Sequence, residues 1–504
     1  MIFDYATSKP EELALDDLFR RRSWAELYKR SSRVARFLVD ELGLQPTDHV
    51  AVLMGNRVEY VELVLGAMQA GVWLTPINSH LQSHEIAYIL EDSGSGVLFC
   101  DDDHRSLFPR AGDNLRVLVA GDELDAVLSA CSSEAMPLDG PPGAVMIYTS
   151  GTTGRPKGVK RARPSSLGEA FEAAAGAGRT IGLDGSGPHL VTGPLYHAAP
   201  LLFAVYDLLN GAPLVIMPRW EETRALSLIE DRGIRHSHMV PTMFVRLLRL
   251  PEGLRRSFDP SSMRLLLHGA APVSPAVKAR MIEWWGEILV EYWGATESGV
   301  CTLVDSADWL ARPGTVGRAT QNFEVFAVDG SGRRLPAGEL GKLYCRHKLL
   351  PDPFEYHRDP AKTAEAYLEP AVFTLSDLGR VDADGYVFLC DRESNTIISG
   401  GVNVYPAEIE QVLQQHDAVA DAAVFGVPDD EWGESVKAAV ELLDGFKASA
   451  GLEEDILAHA RTRLAAYKVP RSVDFEDRLP RFPSGKLHTR LLRDRYWEHL
   501  ERKV

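Results

Sequence analysis

The feature that most constrains the fold is the alternation of short apolar runs with helical patterns along the first 130 residues. The pattern predicts a buried strand at 49–54, a helix at 57–69 that stops at Gly71, and another strand at 72–74. The same alternation returns after residue 200. Strands that are separated by helices run parallel, because each crossover brings the chain back to the same end of the sheet. We therefore expect an α/β fold built on parallel sheets.

The second half of the chain changes character twice. Residues 312–390 contain short strand-like runs separated by turn dipeptides such as Pro313-Gly314 and Asp384-Gly385, which predicts a β-rich lobe. Beyond it, Pro406 is typical of a first helical turn and opens a compact α+β unit. We place the boundary between residues 392 and 393. This gives a large multilobed α/β domain, 1–392, and a small mobile domain, 393–504.

Composition excludes several classes of protein. The chain has 504 residues, 45% of them hydrophobic and 25% charged, which argues against disorder. The 54 basic and 71 acidic residues give a net charge of −17, and such a field repels nucleic acids and anionic membranes. We see no secretory signal and no apolar run of about 20 residues that could span a bilayer. Five dispersed cysteines show no metal-ligand spacing. We expect a cytoplasmic enzyme.

The strongest motif is the string Tyr-Thr-Ser-Gly-Thr-Thr-Gly-Arg-Pro-Lys-Gly at residues 148–158. Its hydroxyls and glycines can turn several O–H and backbone N–H donors toward one anion, and Lys157 adds a cation. It is not a P-loop, because no Ser or Thr follows Lys157 and Pro156 has no N–H. We predict a phosphate cradle formed by Thr149, Ser150, Gly151, Thr152, Thr153, Gly154 and Lys157.

Further motifs follow in a fixed order: PLYH at 194–197, HGAAP at 268–272, EYWGATE at 291–297, FTLSDLG at 373–379, SGGVNVYP at 399–406 and LPRFPSGK at 479–486. With the phosphate cradle, this series resembles the adenylate-forming enzymes, which include acyl-CoA synthetases, 4-coumarate-CoA ligases, luciferases and peptide-synthetase adenylation domains. The resemblance covers essentially the whole chain.

The resemblance implies a nucleotide site. Trp293 stands where relatives stack a tyrosine on adenine, Asp377 and Arg392 bind the ribose, Thr296 reaches the α-phosphate, and Glu297 is the Mg²⁺ ligand. The implied ATP- or AMP-binding residues outside the phosphate cradle are Gly269, Ala270, Ala271, Glu291, Trp293, Gly294, Thr296, Asp377, Arg392 and Lys486.

The resemblance also implies a catalytic set and an acyl pocket. Lys486 is the first candidate for catalysis, because a placed ammonium stabilises the charge that gathers at the α-phosphate, and Thr296 and His197 assist. The candidate acyl-binding residues are Tyr196, His197, Leu202, Phe203, Val240, Met243, Gly269 and Gly294. They are mostly apolar and offer no obvious cation for a second carboxylate, which favours a hydrophobic or aryl monoacid.

Three segments leave alternatives open. Ser399, Gly400 and Gly401 resemble the loop of the pantetheine channel, which implies CoA binding. Ser394 occupies the hinge, where relatives commonly carry Asp or Lys, so efficient alternation between two half-reactions is not assured. The basic segment 160–163 is either a solvated loop or an added attraction for phosphates. We interpret His236, His238 and His268 as structural, because no carboxylate partner is evident in the sequence.

These observations predict an ATP-dependent carboxylic acid–CoA ligase with ATP, Mg²⁺ and CoA as cofactors or co-substrates. The acid would first become acyl-AMP with release of pyrophosphate, and its acyl group would then pass to CoA. The alternatives are an enzyme that only forms or only consumes acyl-AMP, a ligase that loads a separate acyl carrier protein, and a non-catalytic binding protein. The expected partners are small molecules, with homodimerisation left open and nucleic acid excluded.

Overall fold

The computed structural model describes residues 2–107, 115–149, 156–392, 395–399, 402–429, 432–482 and 487–497. Several predicted site residues lie outside these ranges, and they are Ser150, Gly151, Thr152, Thr153, Gly154, Ser394, Gly400, Gly401 and Lys486.

The described residues form sixteen α-helices. In chain order they are α1 (Ile2–Ser8), α2 (Trp24–Arg36), α3 (Val58–Ala70), α4 (Ser83–Ser93), α5 (Asp122–Ser129), α6 (Leu167–Thr180), α7 (Ala198–Leu209), α8 (Glu222–Arg232), α9 (Pro241–Leu248), α10 (Glu252–Ser257), α11 (Pro275–Trp285), α12 (Ser306–Ala311), α13 (Pro360–Ala366), α14 (Pro406–Leu413), α15 (Ala450–Arg461) and α16 (Thr489–Trp497). A π-helical turn at Phe37–Glu41 extends α2, and a 3₁₀ turn lies at Ala466–Lys468. None of these helices combines the length and hydrophobicity that crossing a bilayer requires.

The strands are shorter. The first nine are β1 (Leu13–Asp16), β2 (Arg21–Ser23), β3 (His49–Leu53), β4 (Trp73–Pro76), β5 (Val97–Cys100), β6 (Arg116–Val119), β7 (Ala144–Val145), β8 (Ile147–Thr149) and β9 (Lys157–Arg161). The next thirteen are β10 (His189–Val191), β11 (Leu214–Ile216), β12 (His236–Met239), β13 (Leu265–His268), β14 (Leu289–Ala295), β15 (Gly299–Val304), β16 (Gly317–Ala319), β17 (Phe323–Val328), β18 (Gly341–His347), β19 (Phe354–Tyr356), β20 (Tyr367–Glu369), β21 (Val372–Val381) and β22 (Tyr386–Arg392). The last five are β23 (Ile397–Ser399), β24 (Val402–Val404), β25 (Val419–Asp429), β26 (Gly433–Leu442) and β27 (Ser472–Glu476).

Two sheets carry the parallel strands that the alternation predicts. The first has the order β6-β5-β3-β4-β7, and all its pairs are parallel. The second is parallel from β1 through β11, β10, β12 and β13 to β14, and it turns antiparallel at β15. From there it continues through β16, β22, β21, β18 and β17 as the predicted β-rich lobe. The α/β class is confirmed.

Two smaller sheets complete the fold. Strands β19, β9 and β8 form an antiparallel three-stranded sheet that contains the end of the phosphate cradle. Strands β24, β23, β26, β25 and β27 form the sheet of the small C-terminal part. There α14 and α15 bury apolar residues such as Ile409, Leu413 and Ile456 against β25 and β26. This part is α+β, as the sequence predicts.

Local sequence signals fix most helix ends. The hydroxyl of Ser23 accepts from the backbone N–H of Glu26, and the Glu26 carboxylate accepts from the N–H of Ser23, which is a complete capping box. Helix α3 ends on Gly71 in the left-handed conformation, with φ 78°. Helix α4 begins after Gln82, which forms a second capping box with Glu85.

Candidate active site

A cavity of about 870 Å³ lies at the carboxyl ends of the parallel strands of the second sheet. Residues at or just after the ends of β10, β12, β13 and β14 contribute to its wall, namely 192–194, 240–243, 270–271 and 294–300. Loops that leave the same edge of a parallel sheet converge there, which is the usual place for a ligand in an open α/β sheet. The cavity extends from the phosphate cradle to an apolar chamber between α6 and α7.

One end of the cavity carries what is described of the phosphate cradle. Thr149 ends β8, Lys157 begins β9, and the two residues pair across the hairpin and line the cavity. The ammonium of Lys157 forms an ion pair with the carboxylate of Asp359. Asp359 also caps α13 by accepting from the N–H of Lys362. Sequence reasoning missed Asp359, whose place before Pro360 suggests only a helix start.

Glu297 and Thr296 lie on the same wall, in the turn between β14 and β15. The hydroxyl of Tyr356 donates to Oε1 of Glu297 at 2.9 Å, so the direction of the carboxylate is set by a residue on β19. A half-exposed carboxylate is a hard oxygen donor of the kind that Mg²⁺ prefers, usually together with phosphate oxygens and water. The residues present therefore fit the predicted metal. Sequence reasoning missed Tyr356.

The segment after β13 brings backbone close to the cavity. Ala270 and Ala271 line it, and Ala270 has a positive φ of 65°, which bends the chain sharply after the strand. Gly269 lies just behind them. A Cβ on Gly269 would lie 2.8 Å from Cε1 and Cζ of Tyr292, so only glycine fits there.

Strand β14 divides its predicted residues between two faces, because side chains alternate along a strand. Tyr292 and Gly294 line the cavity. The indole of Trp293 packs into the core of the β-rich lobe, and its Nε1 donates to Oδ2 of Asp377 at 2.9 Å. The structure thus joins two of the predicted nucleotide residues directly. Asp377 is itself buried, and its neighbours on β21 from Thr374 to Ser376 line the cavity.

Glu291 faces away from the cavity. Its carboxylate accepts from Nζ of Lys278 on α11 at 2.6 Å, and both side chains are buried. Burial raises the pKa of Glu291 and lowers the pKa of Lys278, and each partner opposes the shift of the other. The Lys278 ammonium also lies 4.7 Å from the ring centroid of Trp309. The side chain of Glu291 therefore holds β14 on α11 and is not among the described residues that line the cavity, unlike its sequence-based assignment.

His197, an implied catalytic and acyl-binding residue, lies on the cavity wall. It is the N-cap of α7 and has its Nε2 buried without a hydrogen-bond partner among the described residues. Burial, and then the neighbouring His80, lower the pKa of His197 to about 4, so the ring is neutral at pH 7. Tyr196 lies beside it with ring centroids 4.5 Å apart, and its side chain is buried behind the cavity wall.

The other predicted acyl-pocket residues line the cavity, and they are Leu202, Phe203, Val240, Met243 and Gly294. The structure adds Ile181, Tyr206, His238 and Tyr292 to this chamber. His238 lies there because it is the penultimate residue of β12. Tyr292 lies there because its side chain points to the opposite face of β14 from that of Trp293. Strand alternation was the signal in the sequence that could have found Tyr292.

The basic segment 160–163 matches neither of its two interpretations completely. Lys160 and Arg163 lie against the ring of Trp73, with the cationic centres 5.0 and 4.5 Å from its centroid. Arg161 points the other way, lines the cavity, and donates to the carbonyl of Ser298 at 3.4 Å. The expectation that the pocket offers no cation therefore overlooked Arg161.

The histidines lie in two settings. His189 and His236 both bind Oδ2 of the buried Asp207, at 2.9 and 2.8 Å, so His236 does have a carboxylate partner, contributed by α7. Asp207 stays ionised there, since these two histidines bring its pKa to about 2 in spite of burial. His268 is buried, and neither ring nitrogen has a partner among the described residues.

The predicted CoA and hinge residues are only partly described. Ser399 ends β23 and pairs with Val402 and Gly433 in the small sheet. Arg392 ends β22 opposite Asp377, which places the backbone of the two predicted ribose residues side by side.

Comparison with known proteins identifies this arrangement. Residues 2–350 match the model of the AMP-binding enzymes, and residues 408–486 match the model of the AMP-binding enzyme C-terminal domain. The chain is 34% identical to a fatty acid–[acyl-carrier-protein] ligase of Streptomyces coeruleorubidus, covering 96% of this chain and 93% of that one. It is 33% identical to a long-chain-fatty-acid–CoA ligase of Mycobacterium tuberculosis, covering 94% and 93%. It is 35% identical to a feruloyl-CoA synthase of Amycolatopsis, covering 92% of each.

Solved structures show the same fold. ATP-bound MatB from Rhodopseudomonas palustris superposes with a TM-score of 0.86 at 28% identity, covering 98% of this chain and 97% of that one. The o-succinylbenzoate CoA synthetase of Bacillus subtilis, in complex with an acyl-adenylate, superposes with a TM-score of 0.81 at 28% identity, covering 100% and 98%. Fold, order of motifs and the two matched models agree, and the chain belongs to the AMP-binding enzyme family.

Proposed function

We propose that the protein is an ATP-dependent carboxylic acid–CoA ligase, an AMP-forming acid–thiol ligase like its relatives. The observation that carries this proposal is the continuous cavity. It joins Thr149, Lys157 and Glu297 at one end to an apolar chamber at the other, with His197 on its wall. A single cavity that accepts phosphates at one end and an apolar acid at the other suits the attack of a carboxylate on ATP.

In the first step, a carboxylate oxygen of the acid attacks the α-phosphorus of ATP. A new P–O bond forms, the bond to the bridging oxygen of the β-phosphate breaks, and pyrophosphate leaves. Thr149 and Lys157 bind the phosphates, together with the cradle residues Ser150 to Gly154. Mg²⁺, held by Glu297, would neutralise phosphate charge. Lys486 stabilises the negative charge at the α-phosphate, and Thr296 donates to it.

One ion pair and one hydrogen bond change when the substrates bind. Lys157 is neutralised by Asp359 in this structure. The triphosphate competes for the same ammonium, so Lys157 exchanges a carboxylate for phosphate oxygens when ATP binds. The neutral His197 donates one hydrogen bond to the acid's carboxylate without adding charge there. Its buried Nε2 gains the partner that it lacks among the described residues.

Asp377 is assigned to the ribose, and the contact of its Oδ2 with Trp293 orients it for that role. Arg392, opposite Asp377 across β21 and β22, is the second ribose residue. Gly269, Ala270 and Ala271 lie against the base and the acyl group. The stacking of Trp293 on adenine stays a prediction, and the side chain of Glu291 is removed from the nucleotide set by its ion pair with Lys278.

In the second step, the thiol sulfur of CoA attacks the carbonyl carbon of acyl-AMP, the thiol loses its proton, and AMP leaves. Exclusion of water protects the mixed anhydride until then. Ser399, Gly400 and Gly401 form the pantetheine channel, and Ser394 is the hinge about which the small domain, 393–504, turns. A cytoplasmic location and action as a single chain or a homodimer complete the proposal.

The similarity to a ligase that acts on an acyl carrier protein makes the thiol partner the second question. A carrier protein presents the same phosphopantetheine arm as CoA, so a site for one arm suits either donor. The similarity to feruloyl-CoA synthase and to long-chain-fatty-acid–CoA ligase fits a hydrophobic or aryl monoacid.

The test is pyrophosphate release across aliphatic, aryl and polycyclic acids, each measured with CoA, with a phosphopantetheinylated carrier protein and without a thiol. We expect acid-dependent pyrophosphate release and a CoA thioester. A thioester on the carrier alone would establish the carrier-protein alternative. Formation of acyl-AMP without any thioester would establish a half-reaction enzyme. Absence of acid-dependent pyrophosphate release with every acid would overturn the proposal.

A further inference from the structure

The wall of the acyl chamber contains one polar contact between two residues that sequence reasoning left out of the pocket. Nε2 of His238 lies 3.1 Å from the hydroxyl of Tyr292, and both residues line the cavity. They are almost completely buried, with 3% and 7% of their surfaces exposed. A buried hydrogen-bonded pair on a largely apolar wall is a feature that can discriminate between acids of similar shape.

The pair is held rigidly. Phe203 packs edge-on against both rings, with centroids 5.4 Å from His238 and 5.2 Å from Tyr292. On the other side, the backbone at Gly269 touches the Tyr292 ring so closely that a Cβ would lie 2.8 Å from it. Thr192 Oγ1 donates to the backbone carbonyl of His238 and fixes the end of β12. The phenol hydroxyl therefore keeps its position when a ligand enters.

The pair presents hydrogen-bonding capacity to the cavity in either tautomer of the imidazole. Burial lowers the pKa of His238 to about 3, so its ring is neutral and one nitrogen donates while the other accepts. If Nε2 accepts from the phenol, the Tyr292 oxygen keeps two lone pairs. If Nε2 donates to the phenol, the Tyr292 O–H is left to donate elsewhere. A hydroxyl group on a ligand can donate or accept, so it matches both arrangements.

The rest of the chamber indicates the shape of that ligand. Its walls near the pair are the aromatic rings of Phe203 and Tyr206 and the aliphatic side chains of Ile181 and Val300. Rings of this kind pack well against a flat apolar group. An acid without a polar substituent would displace water from the Tyr292 hydroxyl and offer no hydrogen bond in its place. This penalty is the usual source of strong discrimination for a substrate hydroxyl.

We propose that His238 and Tyr292 are the specificity-determining residues of the acyl chamber, and that they select ring-bearing carboxylic acids with a hydroxyl group at the end remote from the carboxylate. The inference rests on the proposed function and adds to it a group that reads the far end of the acid. Neither residue takes part in the chemistry. Tyr292 contacts the substrate hydroxyl, and His238 positions Tyr292.

The experiment compares acids that differ only in that hydroxyl, namely cinnamic and 4-hydroxycinnamic acid, and 2-naphthoic and 6-hydroxy-2-naphthoic acid. We expect the hydroxylated member of at least one pair to be preferred about tenfold or more in kcat/KM for pyrophosphate release. Tyr292→Phe should reduce that preference to about twofold or less, chiefly by raising KM for the hydroxy acid.

The matched control is Tyr206→Phe, which removes another hydroxyl from the same chamber and should keep the preference. Loss of the preference in Tyr206→Phe but not in Tyr292→Phe would overturn the assignment. The wild-type enzyme alone also decides the matter if a variant fails to fold, because equal kcat/KM values within both pairs would overturn it.

Two further outcomes separate this inference from others. A preference for terephthalic over benzoic acid that is lost in Arg161→Gln, with no preference for the hydroxy acids, would overturn the inference in favour of a site for a second carboxylate. Absence of pyrophosphate release with every acid would overturn the proposed function itself. Pyrophosphate release without discrimination would leave the ligase function standing and overturn only the role of the pair.

Discussion

At the scale of single residues, the ion pair of Lys278 and Glu291 shows how a motif residue can be structural. Both side chains are buried, and the pair lies directly below the strand that presents Tyr292 and Gly294 to the cavity. A buried pair of this kind contributes little net stability compared with apolar residues, yet removal of one partner leaves a buried charge unpaired.

We therefore predict that Lys278→Met lowers the free energy of unfolding of the large domain by about 3–5 kcal/mol. The double variant Lys278→Met/Glu291→Leu should recover most of that loss, because no charge is left unpaired. Urea unfolding followed by tryptophan fluorescence measures both. If the double variant folded but no longer bound ATP, Glu291 would belong to the nucleotide site after all.

Tyr356 is the second residue whose role follows from one contact. Its hydroxyl donates to Oε1 of Glu297 at 2.9 Å and so orients the carboxylate that we assign to the metal. Tyr356→Phe should lower kcat/KM for pyrophosphate release about tenfold, since the carboxylate is less well fixed, and should raise the Mg²⁺ concentration needed for half-maximal rate. Glu297→Gln should lower kcat/KM for pyrophosphate release further. As a control, Tyr344→Phe, on β18, should leave the Mg²⁺ dependence unchanged. An unaltered Mg²⁺ dependence in Tyr356→Phe would contradict this positioning role.

At the scale of elements, the hairpin of β14 and β15 organises the site. Alternation along β14 sends Glu291 and Trp293 into two different cores and turns Tyr292 and Gly294 to the cavity. The register shifts between Trp293 and Gly294, where a Cβ on Gly294 would lie 1.9 Å from the carbonyl oxygen of Gly299. Only glycine permits that approach, which holds the turn with Thr296 and Glu297 against the cavity.

The pair of helices α2 and α3 gives an element-scale prediction that is independent of the site. At Gly66 on α3, a Cβ would lie 2.3 Å from Cγ1 of Val34 on α2. Gly66→Ala should therefore destabilise the fold by about 1–3 kcal/mol, although alanine by itself favours helices. Gly66→Ala/Val34→Ala should be closer to the wild type in thermal unfolding. A Gly66→Ala variant as stable as the wild type would show that α2 moves away from α3 without cost.

At the scale of the whole molecule, several histidines are kept neutral by burial, and this couples stability to pH. Burial is the first cause that lowers the pKa of His49 to about 3, of His197 to about 4 and of His238 to about 3. The unfolded chain binds protons at these residues below about pH 6.5, whereas the folded chain does not. Their contribution to stability is therefore complete above pH 6.5 and is lost as the pH falls toward 3–4.

We predict that the thermal midpoint falls steadily between pH 6.5 and pH 4, with each of these histidines contributing up to about 1.4 kcal/mol per pH unit. Asp207, whose pKa lies at about 2, adds a further loss only below its unfolded value near 4. His49→Gln should give a shallower dependence than the wild type. Scanning calorimetry from pH 8 to pH 4 tests this, and a midpoint that is constant over the range would contradict it.

The sequence by itself determined the family, the α/β class, the β-rich lobe and the small α+β domain, because strand and helix periods and the ordered motifs are local properties of the chain. The ordered motifs also implied Thr149, Lys157, Glu297 and His197 as site residues, and the structure brings all four to the wall of one cavity.

Only the tertiary structure decided what each side chain contacts. The ion pair of Glu291 with Lys278, the bond from Trp293 to Asp377 and the bond from Tyr356 to Glu297 join residues on different elements. The partner in each pair is fixed by strand register and helix packing, and a local motif predicts neither the register nor the packing. The same holds for His238 and Tyr292, 54 residues apart, whose contact places a buried hydrogen-bonded pair on the wall of the acyl chamber.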